Sequence, residues 1–426
     1  MQLKRKKRRC ICEKEKLLKQ ITGDPPYLEC TEINKIRLGL FTERNSDGTA
    51  HLVLRGNDIY SRYQRRLGDV DIQALILYIR ESPKRITRLD LSYNQITDKE
   101  KSILNLSKYA DYLKLKYLRL NGNDFGENGG QYFADFLVKN KTVEFCDIGQ
   151  TSLTLTGIAH IVTALRIDHG ANNTIKVLDL NRLVPLSNRY SYETKWLAYH
   201  IEYLLERNSN IIELHLQKNE FISHDMEYFV RGLRNNKTLL YLDLGYNKFG
   251  DYGAGLLANY LKENPQLILL NLAGNGIKDT GARALSFGLP YSKIRALDMS
   301  NNKLTDDGLL DLLNTLKKAF YLRFFNIFGN EIGHETCVVI ERMLLSGALF
   351  QHTIIDVRLY EVDEVLHAAY YPNPADRNKH NYYCELEFGF AQPIYHIRRN
   401  VLPEKKIVKV DCKQRHKLDK TDRNRF

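Results

Sequence analysis

Leu239-Leu240-Tyr241-Leu242-Asp243-Leu244-Gly245-Tyr246-Asn247-Lys248-Phe249 decides how the chain folds. Its pattern, L-x-x-L-x-L-x-x-N-x-apolar, returns at Leu267 to Ile277 and again at Ile294 to Leu304. Leu242 and Leu244 alternate as the buried face of a short strand. Asn247 stands where that strand must end, and its side-chain amide suits the backbone groups that a turn leaves open. Beyond it, Gly253-Ala254-x-x-Leu257-Ala258-x-x-Leu261 spaces its apolar residues by three and four, which is helical. One unit therefore reads as strand, turn and helix, with an apolar face that it cannot bury alone. Stacked copies can.

Counted by the asparagine position, the units align Asn57, Asn94, Asn123, Thr151, Leu183, Asn219, Asn247, Asn275, Asn302 and Asn330. Successive spacings are 37, 29, 28, 32, 36, 28, 28, 27 and 28 residues, and a 28-residue unit leaves room for a full helix on the outer side. With helices such as Gly281-Ala282-x-x-Leu285 and Gly308-Leu309-x-x-Leu312-Leu313, residues 49–350 resemble the ribonuclease-inhibitor type of leucine-rich repeat protein. That resemblance implies an α/β horseshoe, a right-handed solenoid of about ten repeats with strands inside and helices outside. A chain of 426 residues fits, because a solenoid lengthens by adding repeats rather than by enlarging one core.

The composition, 43% hydrophobic and 27% charged, belongs to a soluble folded chain, and no apolar run approaches the roughly 20 residues of a membrane span. Met1 to Gln20 holds no apolar core of the kind a secretory signal needs. Cys10, Cys12, Cys30, Cys146, Cys337, Cys384 and Cys412 are odd in number and scattered, so an intracellular, reducing setting is expected. The N-x-S/T matches at Asn105, Asn140, Asn172 and Asn236 are then expected to carry no glycan.

The net charge of +12 is concentrated at the ends. Residues 1–20 hold nine Lys/Arg against two Glu, residues 396–426 hold eleven against four acids, and the body between them is left at −2. Lys4-Arg5-Lys6-Lys7-Arg8-Arg9 matches a nuclear-targeting or polyanion-binding run on a basic disordered arm, residues 1–20. Residues 21–48, with Pro25-Pro26, read as a linker and N-terminal cap, 49–350 as the solenoid, 351–395 as a C-terminal cap and 396–426 as a basic tail. Charge suits the tails to RNA or an acidic protein.

Two units depart from the pattern. Thr151 and Leu183 replace the asparagine, and Val184 to Trp196 lengthens the second into a loop with Pro185, Arg189, Tyr190 and Tyr192. Trp196, the lone tryptophan, begins an apolar pattern with Tyr199, Ile201, Tyr203 and Leu204 and is expected to pack inward. The Val177-Leu178-Asp179-Leu180-Asn181-Arg182 unit, Gly329-Asn330 with Thr336-Cys337, and the stretch from Asp356-Val357 through His380 to Tyr382-Tyr383 resemble an animal branch of the family. What this implies is a nuclear or nucleolar setting, a link to ribosome assembly, and expression in differentiating cells.

No constellation of acid, base and nucleophile stands out, and no phosphate-binding glycine loop occurs. Neither a metal nor a cofactor is expected, and the chain reads as no enzyme. The repeat does create a surface. The residue between the two buried strand positions faces away from the core, in a row of Val53, Asp90, Arg119, Asp147, Asp179, His215, Asp243, Asn271, Asp298 and Asn326. Tyr93, Tyr117, Phe145, Tyr241, Tyr246, Phe324 and Phe328 lie beside it. An acidic stripe flanked by aromatics suits a basic, aromatic-anchored protein partner, although Asp is also a usual choice at this position in such repeats. The expectation is a monomeric scaffold holding a protein on its concave face. A second reading is a GTPase regulator, since Ran GTPase-activating proteins resemble this array; Arg88 or Arg119 would then act on the partner.

Overall fold

The computed structural model describes residues 38–371, apart from 83–84, 100–101, 127, 167, 169–171, 185–191, 317–320 and 348–353. The basic arm with its targeting run Lys4 to Arg9, most of the expected N-terminal linker, Pro185, Arg189 and Tyr190, the greater part of the C-terminal cap and the basic tail lie outside the described residues.

After a 3-10 turn at Leu38–Phe41, strand and helix alternate. The strands are β1 (Thr42–Arg44), β2 (Thr49–Val53), β3 (Arg85–Asp90), β4 (Tyr117–Arg119), β5 (Phe145–Asp147), β6 (Val177–Asp179), β7 (Glu213–His215), β8 (Tyr241–Asp243), β9 (Leu269–Asn271), β10 (Ala296–Asp298), β11 (Phe324–Asn326) and β12 (Ile354–Ile355). A final hairpin adds β13 (Val357–Val362) and β14 (Val365–Tyr370). The helices are α1 (Gly56–Tyr63), α2 (Asp69–Glu81), α3 (Ser102–Lys108), α4 (Gly129–Lys139), α5 (Leu155–Ala164), α6 (Thr194–Arg207), α7 (Asp225–Asn235), α8 (Gly250–Lys262), α9 (Asp279–Gly288), α10 (Asp306–Leu316) and α11 (His334–Leu345). Among the described residues β1 to β12 form one sheet in chain order, antiparallel only between β1 and β2. Strands stack at about 4.8 Å but helices need about 8–10 Å, so the sheet lines the inside of the curve and the helices its outside.

Between the two layers runs one continuous core. Leu242 and Leu244 of one unit, Leu270 and Leu272 of the next, and the helical Leu257, Leu261 and Leu285 are all fully buried in it. At about 25 cal/mol per Å² of apolar surface, this burial is what holds neighbouring units together. Cys146 packs within this core and Cys337 is buried on α11; both are free thiols.

The asparagines stitch the strand ends. Asn247 Nδ2 donates to Leu216 O in the previous unit (3.1 Å) and to Leu244 O in its own (2.8 Å), while its Oδ1 accepts from Asn219 N (2.9 Å). Asn94, Asn123, Asn275, Asn302 and Asn330 repeat the bridge between adjoining units. At the two irregular units the ladder thins. Thr151 Oγ1 reaches only its own unit's Ile148 O (2.6 Å), and Leu183 offers a backbone N–H to Asn219 Oδ1 (2.7 Å). Asn57 does not belong to the ladder: it is exposed within α1 and accepts from Arg66 Nη2 (3.0 Å). The preceding neighbour of β2 is the antiparallel β1, so no earlier unit presents carbonyls to bridge.

A second ladder, unread in the sequence, ties the helix ends. Asn140 Nδ2 donates to Ala110 O and Leu113 O (both 2.8 Å) and its Oδ1 accepts from Val143 N (2.9 Å). Asn172, Asn208 and Asn236 do the same. Three of the four N-x-S/T matches are therefore structural joints. A third ladder uses the first-turn aspartates: Asp251, Asp279 and Asp306 each accept from backbone N–H groups that open the next helix, as in Asp279 Oδ1 with Thr305 N (2.8 Å) and Gly308 N (3.1 Å). Those groups would otherwise lack partners at a helix N-terminus.

Trp196 corrects a sequence expectation. It is 51% exposed on the outer face of α6, set against Tyr199 and His200, because Leu197, Ala198, Ile201, Leu204 and Leu205 already fill the inward stripe. After β12 the repeat gives way to the β13–β14 hairpin, closed by Asp363 and Glu364 at φ 50° and 64°. It leans on the last unit through Phe328 and Tyr370, whose ring centroids are 5.0 Å apart.

Candidate functional site

The register places Asp90, Arg119, Asp147, Asp179, His215, Asp243, Asn271, Asp298 and Asn326 side by side across nine strands on the concave face. Their carboxylates are largely absorbed by the fold. One oxygen closes a turn by accepting from the N–H two residues on, as Asp147 does from Gly149 (3.2 Å), Asp179 from Asn181 (3.0 Å), Asp243 from Gly245 (3.1 Å) and Asp298 from Ser300 (3.0 Å). The other is engaged across the strands: Asp90 by Arg55 Nε (3.1 Å), Asp147 by Arg119 Nε (2.9 Å), Asp243 by Gln217 Nε2 (2.6 Å), Asp298 by Asn326 Nδ2 (3.1 Å). Asp90, Asp147 and Asp243 are buried; Asp179 and Asp298 stay half-buried. Aspartate thus recurs here because a short strand must turn, and the row offers less negative charge to a visitor than its composition suggests.

The centre of the row is an ionic cluster. His215 Nδ1 lies 3.5 Å from Asp243 and its Nε2 lies 3.7 Å from Glu213. Burial works against charge on the imidazole, but Asp243, Glu213 and Asp179 outweigh it and push its pKa up to about 10. Burial also raises the carboxyl of Asp147 well above the usual range, with Asp179 adding repulsion and Arg119 opposing it; Asp179 is raised for the same first cause. At the neighbouring strands Arg88 lies 5.1 Å over the Tyr117 ring and Arg119 5.4 Å over Phe145, with Tyr117 and Phe145 stacked at 5.2 Å. Burial, reinforced by Arg119, lowers Arg88 to about 10, and burial pushes Tyr117 up to about 12.

Of the aromatics singled out by sequence, Phe145, Tyr241 and Phe324 are buried in an apolar column on the floor, with Val177, Leu269 and Ala296. Tyr93, Tyr246 and Phe328 stand at its rim, 40%, 38% and 36% exposed, and are the rings a partner can touch. Tyr93 and Tyr246 precede the ladder asparagines and sit at φ 57°, a left-handed backbone that a bulky residue rarely adopts. The next unit carries glycine at the same place: a Cβ on Gly122 would come within 2.4 Å of the Tyr93 ring, and one on Gly274 within 2.5 Å of the Tyr246 ring. Lys218 Nζ lies 5.0 Å over Tyr246 and Asn301 Nδ2 donates to its hydroxyl (3.3 Å). The two rings are held in place before any partner arrives.

Glu213 is the floor residue that sequence reasoning passed over. Its signal was available, an acid set between Val177 and Tyr241 in a column that continues through Phe145 on one side and Leu269 on the other. Among the described residues no group of three His, Cys, Asp or Glu is placed to hold a metal ion, and no helix is long and apolar enough to cross a membrane.

The family model described as Leucine Rich repeat matches residues 86–99, 113–134, 235–258, 263–286 and 292–313. No curated protein matches the sequence. Solved structures similar to the chain include an internalin (inlF) from Listeria monocytogenes, at 16% identity over 67% of this chain and 82% of that one, with a TM-score of 0.30. The yeast Rad7 and Elc1 complex gives 16% identity, 66% and 84% coverage and a TM-score of 0.35. For the mouse RP105/MD-1 complex the figures are 15%, 63% and 50%, and 0.30. Likenesses this loose carry no argument about function.

Proposed function

Given a leucine-rich repeat solenoid fold, with five segments matching the Leucine Rich repeat family model, we propose that the chain is a non-enzymatic scaffold whose concave sheet holds a protein partner. The observation that carries this is the pair Tyr93 and Tyr246. Each is a large, exposed ring kept at φ 57° above a glycine, where asparagine or glycine would cost less. The turn takes this left-handed backbone at Gln150, Arg182 and Lys218 as well, so what supports a contact role is the exposed ring each tyrosine presents, tyrosines being prominent among interface anchors. Between them the floor supplies Asp179, His215 and Asp243, whose charges orient an approaching partner.

The finer setting follows the resemblance of Val177 to Arg182, Gly329 to Cys337 and the Asp356-Val357 stretch to the animal leucine-rich repeat-containing protein 34. It implies a nuclear or nucleolar scaffold connected with ribosome assembly or differentiation, and Lys4 to Arg9 supports that setting by pattern alone. The GTPase-regulator reading is the weaker one. Arg119 is tied to Asp147 and Arg88 is buried over Tyr117, so neither stands ready to enter a partner's site.

The test is a pulldown with full-length protein and the Tyr93→Asn/Tyr246→Asn pair, asparagine being tolerant of the left-handed backbone. Partners held by the wild type should be lost from the double variant while its melting temperature stays the same or rises. An unchanged partner set would refute the concave-face assignment. Stimulation of GTP hydrolysis by the pure protein would replace it with the regulator.

A further inference from the structure

Glu213 is fully buried on the concave floor, and neither of its carboxylate oxygens meets a hydrogen-bond donor. The imidazole Nε2 of His215 forms an ion pair with it at 3.7 Å, too long for a hydrogen bond, and that nitrogen has no hydrogen-bond partner either. The ion pair offsets part of the cost of burying this carboxylate, but its oxygens still lack the hydrogen bonds that a buried carboxylate ordinarily makes.

The same sheet shows what such a donor looks like. Arg119 on β4 forms an ion pair with Asp147 on β5 at 2.9 Å while lying over Phe145, and Arg55 donates to Asp90 at 3.1 Å. In both places a guanidinium from one unit completes the carboxylate of the next. At Glu213 the register offers Val177 on one side and Tyr241 on the other, so the preceding strand supplies no cation. Asp179, half-buried, lies next to His215 in the adjacent row. Three carboxylates, Asp179, Glu213 and Asp243, thus face one imidazolium.

Building on the concave-face reading above, we propose that this part of the floor seats an arginine side chain of the protein partner, its guanidinium bridging Asp179 and Glu213 as the chain's own arginine serves Asp147. A metal ion is a poorer occupant, because among the described residues no group of three His, Cys, Asp or Glu is placed to hold one. Lysine is poorer too: a planar fork serves two carboxylates at once, whereas an ammonium is a point charge. The guest enters beside Asp179, and the side chains flanking Glu213, Tyr241 among them, shift as it seats.

The probe is N-acetyl-arginine amide, with the uncharged N-acetyl-citrulline amide and N-acetyl-lysine amide as controls, titrated into the full chain while the His215 ring signals are followed by NMR. Those signals should move saturably with arginine, far less with lysine and not with citrulline. Glu213→Gln should weaken arginine binding roughly tenfold or more with its circular dichroism spectrum unchanged. Equal responses to arginine and citrulline, equal binding by lysine, no response at all, or a Glu213→Gln variant that binds like wild type would each overturn the proposal. A partner lost on changing Tyr93 and Tyr246 but indifferent to Glu213→Gln would remove this arginine seat and leave the concave scaffold standing. A partner indifferent to all three would remove both.

Discussion

Replacing Asn275 with alanine should cut one rung of the strand-end ladder. Its Nδ2 donates to Leu244 O and Leu272 O, each at 3.0 Å, and to Ala273 O at 3.1 Å, and its Oδ1 accepts from Asn247 N at 3.1 Å. The residue is buried, so water cannot replace what alanine removes. Taking about 1–1.5 kcal/mol for each of roughly three bonds left unmade, the cost is about 3–5 kcal/mol. Asn57, its counterpart by sequence alone, is exposed on α1, and Asn57→Ala should stay within about 0.5 kcal/mol. Urea denaturation followed by far-ultraviolet circular dichroism separates the two. Because units couple only to their neighbours, the Asn275→Ala transition should also broaden or split as the stack parts between β8 and β9. A loss below about 1 kcal/mol at Asn275, or equal losses at both positions, would refute the ladder as the source of coupling between units.

Gly274→Ala meets two penalties, a φ of 65° and a methyl 2.5 Å from the Tyr246 ring, and should cost about 1–3 kcal/mol in the same assay. Asp356, whose Oδ1 accepts from Ile327 N (2.8 Å) and Phe328 N (3.2 Å), is pushed up to about 6, chiefly by burial. Its folded pKa lies above the unfolded 3.8, so the folded state binds the extra proton, and stability should fall by about 2–3 kcal/mol as pH rises from about 4 to 7. Asp356→Asn should flatten that slope; a slope unchanged in the variant would assign it elsewhere. Trp196 should fluoresce as a water-exposed indole, readily quenched by iodide in the folded protein, and a blue-shifted, protected emission would contradict its place on α6.

The strands and the order of the sheet were legible because a two-residue alternation within a 28-residue period has few other solutions. Legibility failed where one residue type serves two purposes. Asn57 fits the consensus letter for letter, yet the ladder needs a preceding unit, which is a property of the stack rather than of the motif. Asn140, Asn172 and Asn236 fit a glycosylation pattern and turned out to be buried or half-buried joints, since the same Asn-x-Thr geometry closes a turn onto the neighbouring helix. The concave aspartates were located correctly as a row, but composition could not say that Gly149, Asn181 and Gly245 would claim their oxygens. Glu213 was missed because its neighbours in space, Val177 and Tyr241, are 36 and 28 residues away in the chain. Trp196 was misplaced because a large ring at helical spacing looks buried until the rest of the inward stripe has been filled.

If the inner face grips another protein, a probe on that face should meet it and one on the outer helices should not. A photoreactive benzoylphenylalanine placed at Tyr246, on the concave rim, and in a separate variant at Tyr252, 51% exposed on the convex helix α8, reads the two faces directly in cells. A discrete, light-dependent protein adduct is expected from position 246 and none from 252. Adducts from 252 alone, or from neither position, would contradict the concave-face grip.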